Sequence, residues 1–212
     1  SGVSINDNIV FKLDIDEGEG QYLYDNSEPE FHSSNDRMIL GATAEADTHD
    51  PMWSANTLYG YCLYFDGIDD YVISEEEYEV EATDFTVDIW IQPGDIEDDR
   101  YYVIFGSFDE AGNYRGIGLH GHYLYTRWGA GEDMQNEYNF YISSHNTTRL
   151  TYCYSYTNNK ESIYLNGMFI DEKDWGEIHC VSLYGNIVIG GVPDIDDHRS
   201  FAGYVSYVSL IL

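Results

Sequence analysis

With 212 residues, 43% of them hydrophobic and 16% aromatic, the chain is long and apolar enough to build a substantial core, which excludes an intrinsically disordered protein. Its 39 Asp+Glu against 9 Lys+Arg leave a formal net charge of -30, a surface that repels phosphate backbones and anionic headgroups and so excludes nucleic acid and membrane surfaces as partners. Cations are the natural counterpart, either as salt that screens the self-repulsion or as bound calcium. No run approaches the roughly 18 apolar residues of a bilayer span, so membrane insertion is not expected.

The alternating run at residues 9–15 (IVFKLDI) predicts an opening strand, followed by an acidic, glycine-rich turn at 16–20. Residues 25–58 read as a loop-rich excursion with one short strand near 37–41, and long loops on sandwiches tend to carry function. Apolar residues then alternate up to Asp66 and Gly67 and resume beyond them, predicting strands at 60–65 and 70–73 joined by a tight corner. Further strands are expected at 85–92, 101–108, 114–120, 122–127, 138–143, 148–157, 161–165, 168–171, 187–190 and 201–211. Asn166 and Gly167 stand between two β-rich runs, where a type I′ hairpin belongs. Helical periodicity, internal repeats and Pro- or Ser-rich linkers are missing, so the expected fold is all-β: one antiparallel two-sheet jelly-roll sandwich over residues 1–212. The apolar final strand is expected to pair beside the first, or to be donated to another subunit.

Catalytic groupings are weak. Asp14 and Asp16 share a strand face, but so acidic a chain produces such pairs by chance, and Asp88 has no partner in its own strand. His120 and His122 have the spacing of two metal ligands without a third. Cys62, Cys153 and Cys180 form no zinc or redox motif; they read as buried thiols, or as one Cys153–Cys180 disulfide in an oxidising compartment. Asn146 opens a glycosylation sequon, Asn146-Thr147-Thr148, in an expected loop.

Six segments in register carry a resemblance. Residues 11–20 (FKLDIDEGEG) with Tyr24, Asp25, Asn26 and Ser27, then LYFDGIDDYV at 63–72, FTVDIWIQP at 85–93, YLNG at 164–167, IVIGG at 187–191 and FAG at 201–203, occur in the order found in the laminin-G-like branch of the concanavalin A-like lectin/glucanase superfamily, and the chain resembles that branch nearly end to end. The resemblance implies a jelly-roll sandwich and a structural calcium held by Asp25 with backbone carbonyls around Asn26 and Ser27. Where relatives carry Trp-His and a late Asp pair, this chain has Thr148-Arg149 and Ser206-Tyr207. Asp66, Asp69 and Asp70 are further oxygen ligands at turn spacing, against the alternative that Asp66 caps its own turn.

Lectin-like sandwiches bind sugars with exposed rings that stack on the pyranose and polar groups that bond its hydroxyls. The candidates are Tyr123, Tyr125, Arg127 and Trp128, with Trp53 and Tyr59 from the long early loop, while Trp90 and Tyr71 are assigned to the core. The expectation is a non-catalytic, secreted or cell-surface module that binds a glycan or an extracellular protein. The alternative is a structural subunit that polymerises through tyrosine-rich faces, with calcium bridging acidic surfaces and a terminal strand lent to a neighbour.

Overall fold

A computed structural model describes residues 9–27, 37–56, 60–80, 83–109, 111–128, 135–176, 183–193 and 200–212. They form two eight-stranded sheets, and among the described residues there is no helix. Sheet A contains β1 (Ile9–Leu13), β4 (Met52–Asn56), β5 (Gly60–Asp66), β7 (Phe85–Pro93), β12 (Thr148–Ser155), β13 (Lys160–Leu165), β14 (Met168–Asp174) and β16 (Ala202–Ile211). Sheet B contains β2 (Tyr22–Tyr24), β3 (Arg37–Leu40), β6 (Val72–Val80), β8 (Tyr101–Phe108), β9 (Tyr114–His120), β10 (Tyr123–Arg127), β11 (Gln135–Tyr141) and β15 (Leu183–Ile189). The order is β14-β13-β12-β7-β16-β5-β4 in sheet A, with β1 also on β16, and β11-β10-β9-β8-β15-β6-β3-β2 in sheet B. Strand pairing within both is antiparallel.

Period-two alternation builds the core. In β7, Phe85, Val87, Ile89 and Ile91 point inward and are buried, and across the ladder Leu150, Tyr152 and Tyr154 do the same in register. The predicted I′ hairpin is present: Asn166 has φ 50° and Gly167 φ 77°, and Leu165 pairs with Met168 across the turn.

The last strand takes one of its two expected roles. β16 does pair with β1, but it also pairs with β7 along one edge and with β5 along the other. Within one chain both edges of β16 are therefore used, β7 along one and β5 and β1 along the other.

At the end where β10 and β11 face β12 and β13, the two sheets meet around a buried acid. Glu161 of β13 is wholly buried and accepts hydrogen bonds at Oε1 from Asn136 Nδ2 (2.7 Å) and Tyr138 (2.5 Å), and at Oε2 from Tyr152 (3.0 Å) and Trp128 Nε1 (3.3 Å). Thr126 Oγ1 lies 2.9 and 3.1 Å from the two oxygens. Thr126, Trp128, Asn136 and Tyr138 come from β10, β11 and the residue just past β10 in sheet B; Tyr152 comes from sheet A. Burial, reinforced by the adjacent Glu161, pushes the Tyr138 and Tyr152 hydroxyls above the usual tyrosine range, so both remain donors.

Replacing Glu161 by Gln puts an amide donor among neighbours that all donate to it here. Hydrogen bonds to charged groups are worth about 1.5–3 kcal/mol each, so Glu161→Gln is expected to lower unfolding stability by about 3 kcal/mol or more, and Tyr138→Phe by about half that. Urea melts followed by circular dichroism measure both; a Glu161→Gln loss under about 1 kcal/mol would overturn the role given to this hub.

Candidate functional site

Residues 142–147 carry the chain from β11, the edge strand of sheet B, to β12 in sheet A. The crossing is pinned by Ile142 N donating to His122 O (2.8 Å) and His145 N donating to Pro93 O (2.6 Å). From the far side comes the β13–β14 hairpin, whose Asn166 accepts from Arg149 N at Oδ1 (2.9 Å) and donates its own N–H to Arg149 O (2.8 Å). Between them lies an open cavity of about 420 Å³, walled by Tyr141, Ser143, Asn146, Thr147, Leu165 and Asn166. Tyr141 is 57% exposed, with one ring face stacked on His122 at 4.5 Å and the Tyr123 ring edge-on at 6.3 Å.

The rings expected to contact a ligand separate into different environments. Tyr123 is exposed, as expected of a stacking surface. Tyr125 and Trp128 are not available: both are buried. Tyr125 lies flat over Gly118, where a Cβ would sit 2.5 Å from its ring, and Tyr101 covers it edge-on at 5.2 Å. Trp128 is drawn into the core by its bond to Glu161. Arg127 is half-buried. Trp53 is half-buried against the core and closes the early loop by donating Nε1–H to Gly20 O (2.8 Å). Tyr59 lies outside the described residues. Tyr71 is buried as expected, whereas Trp90 faces outward from β7 and is only half-buried. The pocket's own residues Tyr141 and Asn166 were not identified as ligand contacts from sequence; the available signal was an aromatic strand end followed by the polar run SSHNTT.

The groups considered for catalysis or metal binding are mostly tied to other partners. Asp14 takes Lys12 Nζ at 2.8 Å, and Asp88, buried on the outer face of sheet A, holds Arg149 through contacts of 2.8–3.0 Å and Thr151 at 2.9 Å. His120 stacks on Tyr101 at 4.1 Å and meets Glu137 at 3.0 Å, whereas His122 stacks on Tyr141. Cys62 is buried and Cys153 half-buried, and burial pushes both thiols up; Cys180, and with it the expected pairing, lies outside the described residues. Asn146 is exposed.

Two acidic loops remain. Asp25 Oδ1 accepts from Lys12 N (2.9 Å) and Ser27 N (2.8 Å), Asn26 N donates to Lys12 O (2.7 Å), and Asp25 Oδ2 is buried without a hydrogen-bond partner among the described residues. In the other loop, Asp66, Asp69 and Asp70 bring one carboxylate oxygen each within 4.8 Å of one another. Asp66 also caps its own turn, accepting from Ile68 N at 2.7 Å, and Asp70 Oδ2 accepts from Asp66 N at 2.6 Å. Burial first, then the neighbouring Asp66, Asp69 and Asp50, pushes Asp70 up to about 7.

Architecturally this is a β-sandwich of two antiparallel sheets. The sequence matches no protein-family profile and no curated protein. Among solved structures it is similar to botulinum neurotoxin type C, which depends on interaction with two ganglioside molecules to enter cells (18% identity, TM-score 0.67, covering 98% of this chain and 48% of that one). It is also similar to the binding domain of botulinum neurotoxin DC in complex with rat synaptotagmin II (17%, 0.67, 98% and 49%) and to the ligand-binding domain of botulinum neurotoxin serotype D in complex with N-acetylneuraminic acid (15%, 0.66, 98% and 48%). The chain thus spans about half the length of each of these structures. At such identities the likeness is one of fold.

Asp70 makes stability depend on pH with a definite sign. Its folded-state pKa of about 7 lies above the carboxylate value of about 3.9 in an unfolded chain, so its favourable contribution is complete at low pH and is lost as pH rises through 7. In chelator, Asp70→Asn, which keeps an oxygen for Asp66 N, is expected to raise Tm at pH 8.5 and to raise it less at pH 5.5. A gain independent of pH would show that Asp70 titrates normally.

Proposed function

We propose that the chain is a non-catalytic binding module of the secreted or cell-surface space, a single sandwich over residues 1–212 whose ligand is a carbohydrate. The observation that carries this reading is the pocket beside Tyr141. An exposed ring backed by a histidine stands next to hydroxyl and amide groups, the combination that stacks a pyranose and bonds its hydroxyls. Similarity to sandwich domains that bind gangliosides, N-acetylneuraminic acid or a protein receptor supports a binding role for the architecture.

Glycan-array binding by the chain and its Tyr141→Ala variant tests the reading. Retention of a defined set of saccharides, weakened about tenfold by the variant, is the expected outcome. Retention of none, with a protein captured instead through another face, would favour the protein-binding alternative and overturn the carbohydrate assignment.

Calcium belongs to the proposal as a structural ion. The residues suit it: hard carboxylate oxygens at Asp66, Asp69 and Asp70, and at Asp25 a buried oxygen with no donor among the described residues, beside the backbone of Asn26 and Ser27. A cation among Asp66, Asp69 and Asp70 would offset the burial and the repulsion that raise Asp70. At pH 8, millimolar calcium is expected to raise Tm over a chelator control at matched ionic strength, and less so in Asp69→Asn; an unchanged Tm would remove the ion.

A further inference from the structure

Resting on the carbohydrate reading above, we propose that the Tyr141 pocket is selective for uncharged saccharides and rejects sialylated ones. Among the described residues its walls are aromatic, aliphatic, amide and hydroxyl, with no ionisable carboxylate, amine, guanidine or imidazole. A sialate carboxylate needs a cation or a charge-assisted donor to replace its water. The cations nearest in sequence already face carboxylates. Arg149, which follows the lining residue Thr148, binds Asp88 through Nε and Nη2 at 2.8–3.0 Å, and His145, which precedes Asn146, meets the exposed Asp95 at 3.2 Å.

The rest of the molecule reinforces the exclusion. A formal net charge of -30 surrounds the pocket with a potential that disfavours any anion approaching at low salt. What the pocket does offer suits a neutral ring. With its Oδ1 committed to Arg149 N, Asn166 has its Nδ2–H groups left to donate, while the hydroxyls of Ser143 and Thr147, which donate to Ser144 O and Gln92 Oε1 at 3.4 Å, keep lone pairs to accept. Tyr141, backed on one face by His122 and still 57% exposed, presents a flat apolar surface to the C–H face of a sugar. A volume of about 420 Å³ lies at the small end of the usual range of about 300–1,000 Å³ and fits one or two rings rather than a long chain.

The test uses neutral galactose-, glucose- and mannose-terminated oligosaccharides and their sialylated counterparts as probes. The chain is prepared without an N-glycan, because Asn146 is both a wall of the pocket and the sequon's acceptor. Titrations are run at ionic strengths of about 0.01 M and about 1 M, where the Debye length falls from about 30 to about 3 Å. The expected result is binding of a neutral probe, at least about tenfold weaker binding of its sialylated form at low salt, and a narrower gap at high salt. Ser143→Arg, which adds a cation to the wall, is expected to raise sialylated binding, and Tyr141→Ala to weaken neutral binding about tenfold, with circular dichroism confirming that each variant folds. Equal or tighter binding of the sialylated probe at low salt overturns the selectivity while leaving the carbohydrate reading intact. Neutral binding unmoved by both variants overturns the assignment to this pocket. Binding of no saccharide overturns the carbohydrate reading itself.

Discussion

A carboxylate sealed between two sheets and held by five neighbouring side chains is the constraint on which the β10–β13 end of this protein depends. A buried acid without donors would cost several kcal/mol, so Glu161 is compatible with the fold only if Thr126, Trp128, Asn136, Tyr138 and Tyr152 all reach it together. That requirement draws Trp128 inward and holds β10 and β11 of sheet B against β12 and β13 of sheet A. The short crossing at 142–147 and the cavity beside it sit at the margin of this clamp, where the chain changes sheets. A half-satisfied network would be worse than an apolar core, so the hub favours one packing over alternatives of similar hydrophobic content.

Outside this hub the molecule keeps its charge away from the uncharged pocket. Carboxylates crowd the loops at Asp47, Asp50, Asp66, Asp69 and Asp70 and the outward run at Glu75, Glu76 and Glu77, whereas the pocket walls are uncharged. Exposed pairs such as Lys160 with Glu172 add little to stability in water. The excess charge acts instead through its long-range field, which opposes the approach of other anions.

Much of the fold was legible because alternation and turn chemistry act locally. The FTVDIWIQP run could be placed with one face inward, and Asn166-Gly167 could be assigned its turn from φ preferences alone. Where the reading fell short, distant contacts decided. The strand expected at 70–73 runs on through three consecutive glutamates, β6 reaching Val80. The pairing with β15 shifts register between Asn186 and Val188, and Ser74 Oγ accepts from Ile187 N (2.9 Å) at the irregularity, so all three carboxylates stay in water. The edge strand β4 was read as loop because MWSAN carries no alternation; it exists by pairing with β5. At the site, Tyr123, Tyr125 and Trp128 look equivalent in a line of sequence. Only the glycine floor at Gly118 and the distant Glu161 separate the exposed ring from the two buried ones, and only the meeting of a strand end with a hairpin from elsewhere brings Tyr141 to Asn166.

The position of β16 bears on how the protein is made. Its partners β1, β5 and β7 all emerge from the ribosome long before it does, so sheet A cannot close while residues 202–211 are still being synthesised. Until then the nascent chain carries unmatched backbone edges on β5 and β7, the kind of surface that recruits strands from other chains. Mutual repulsion between heavily anionic nascent chains on one polysome is then a protection that operates during translation, before any ligand is met.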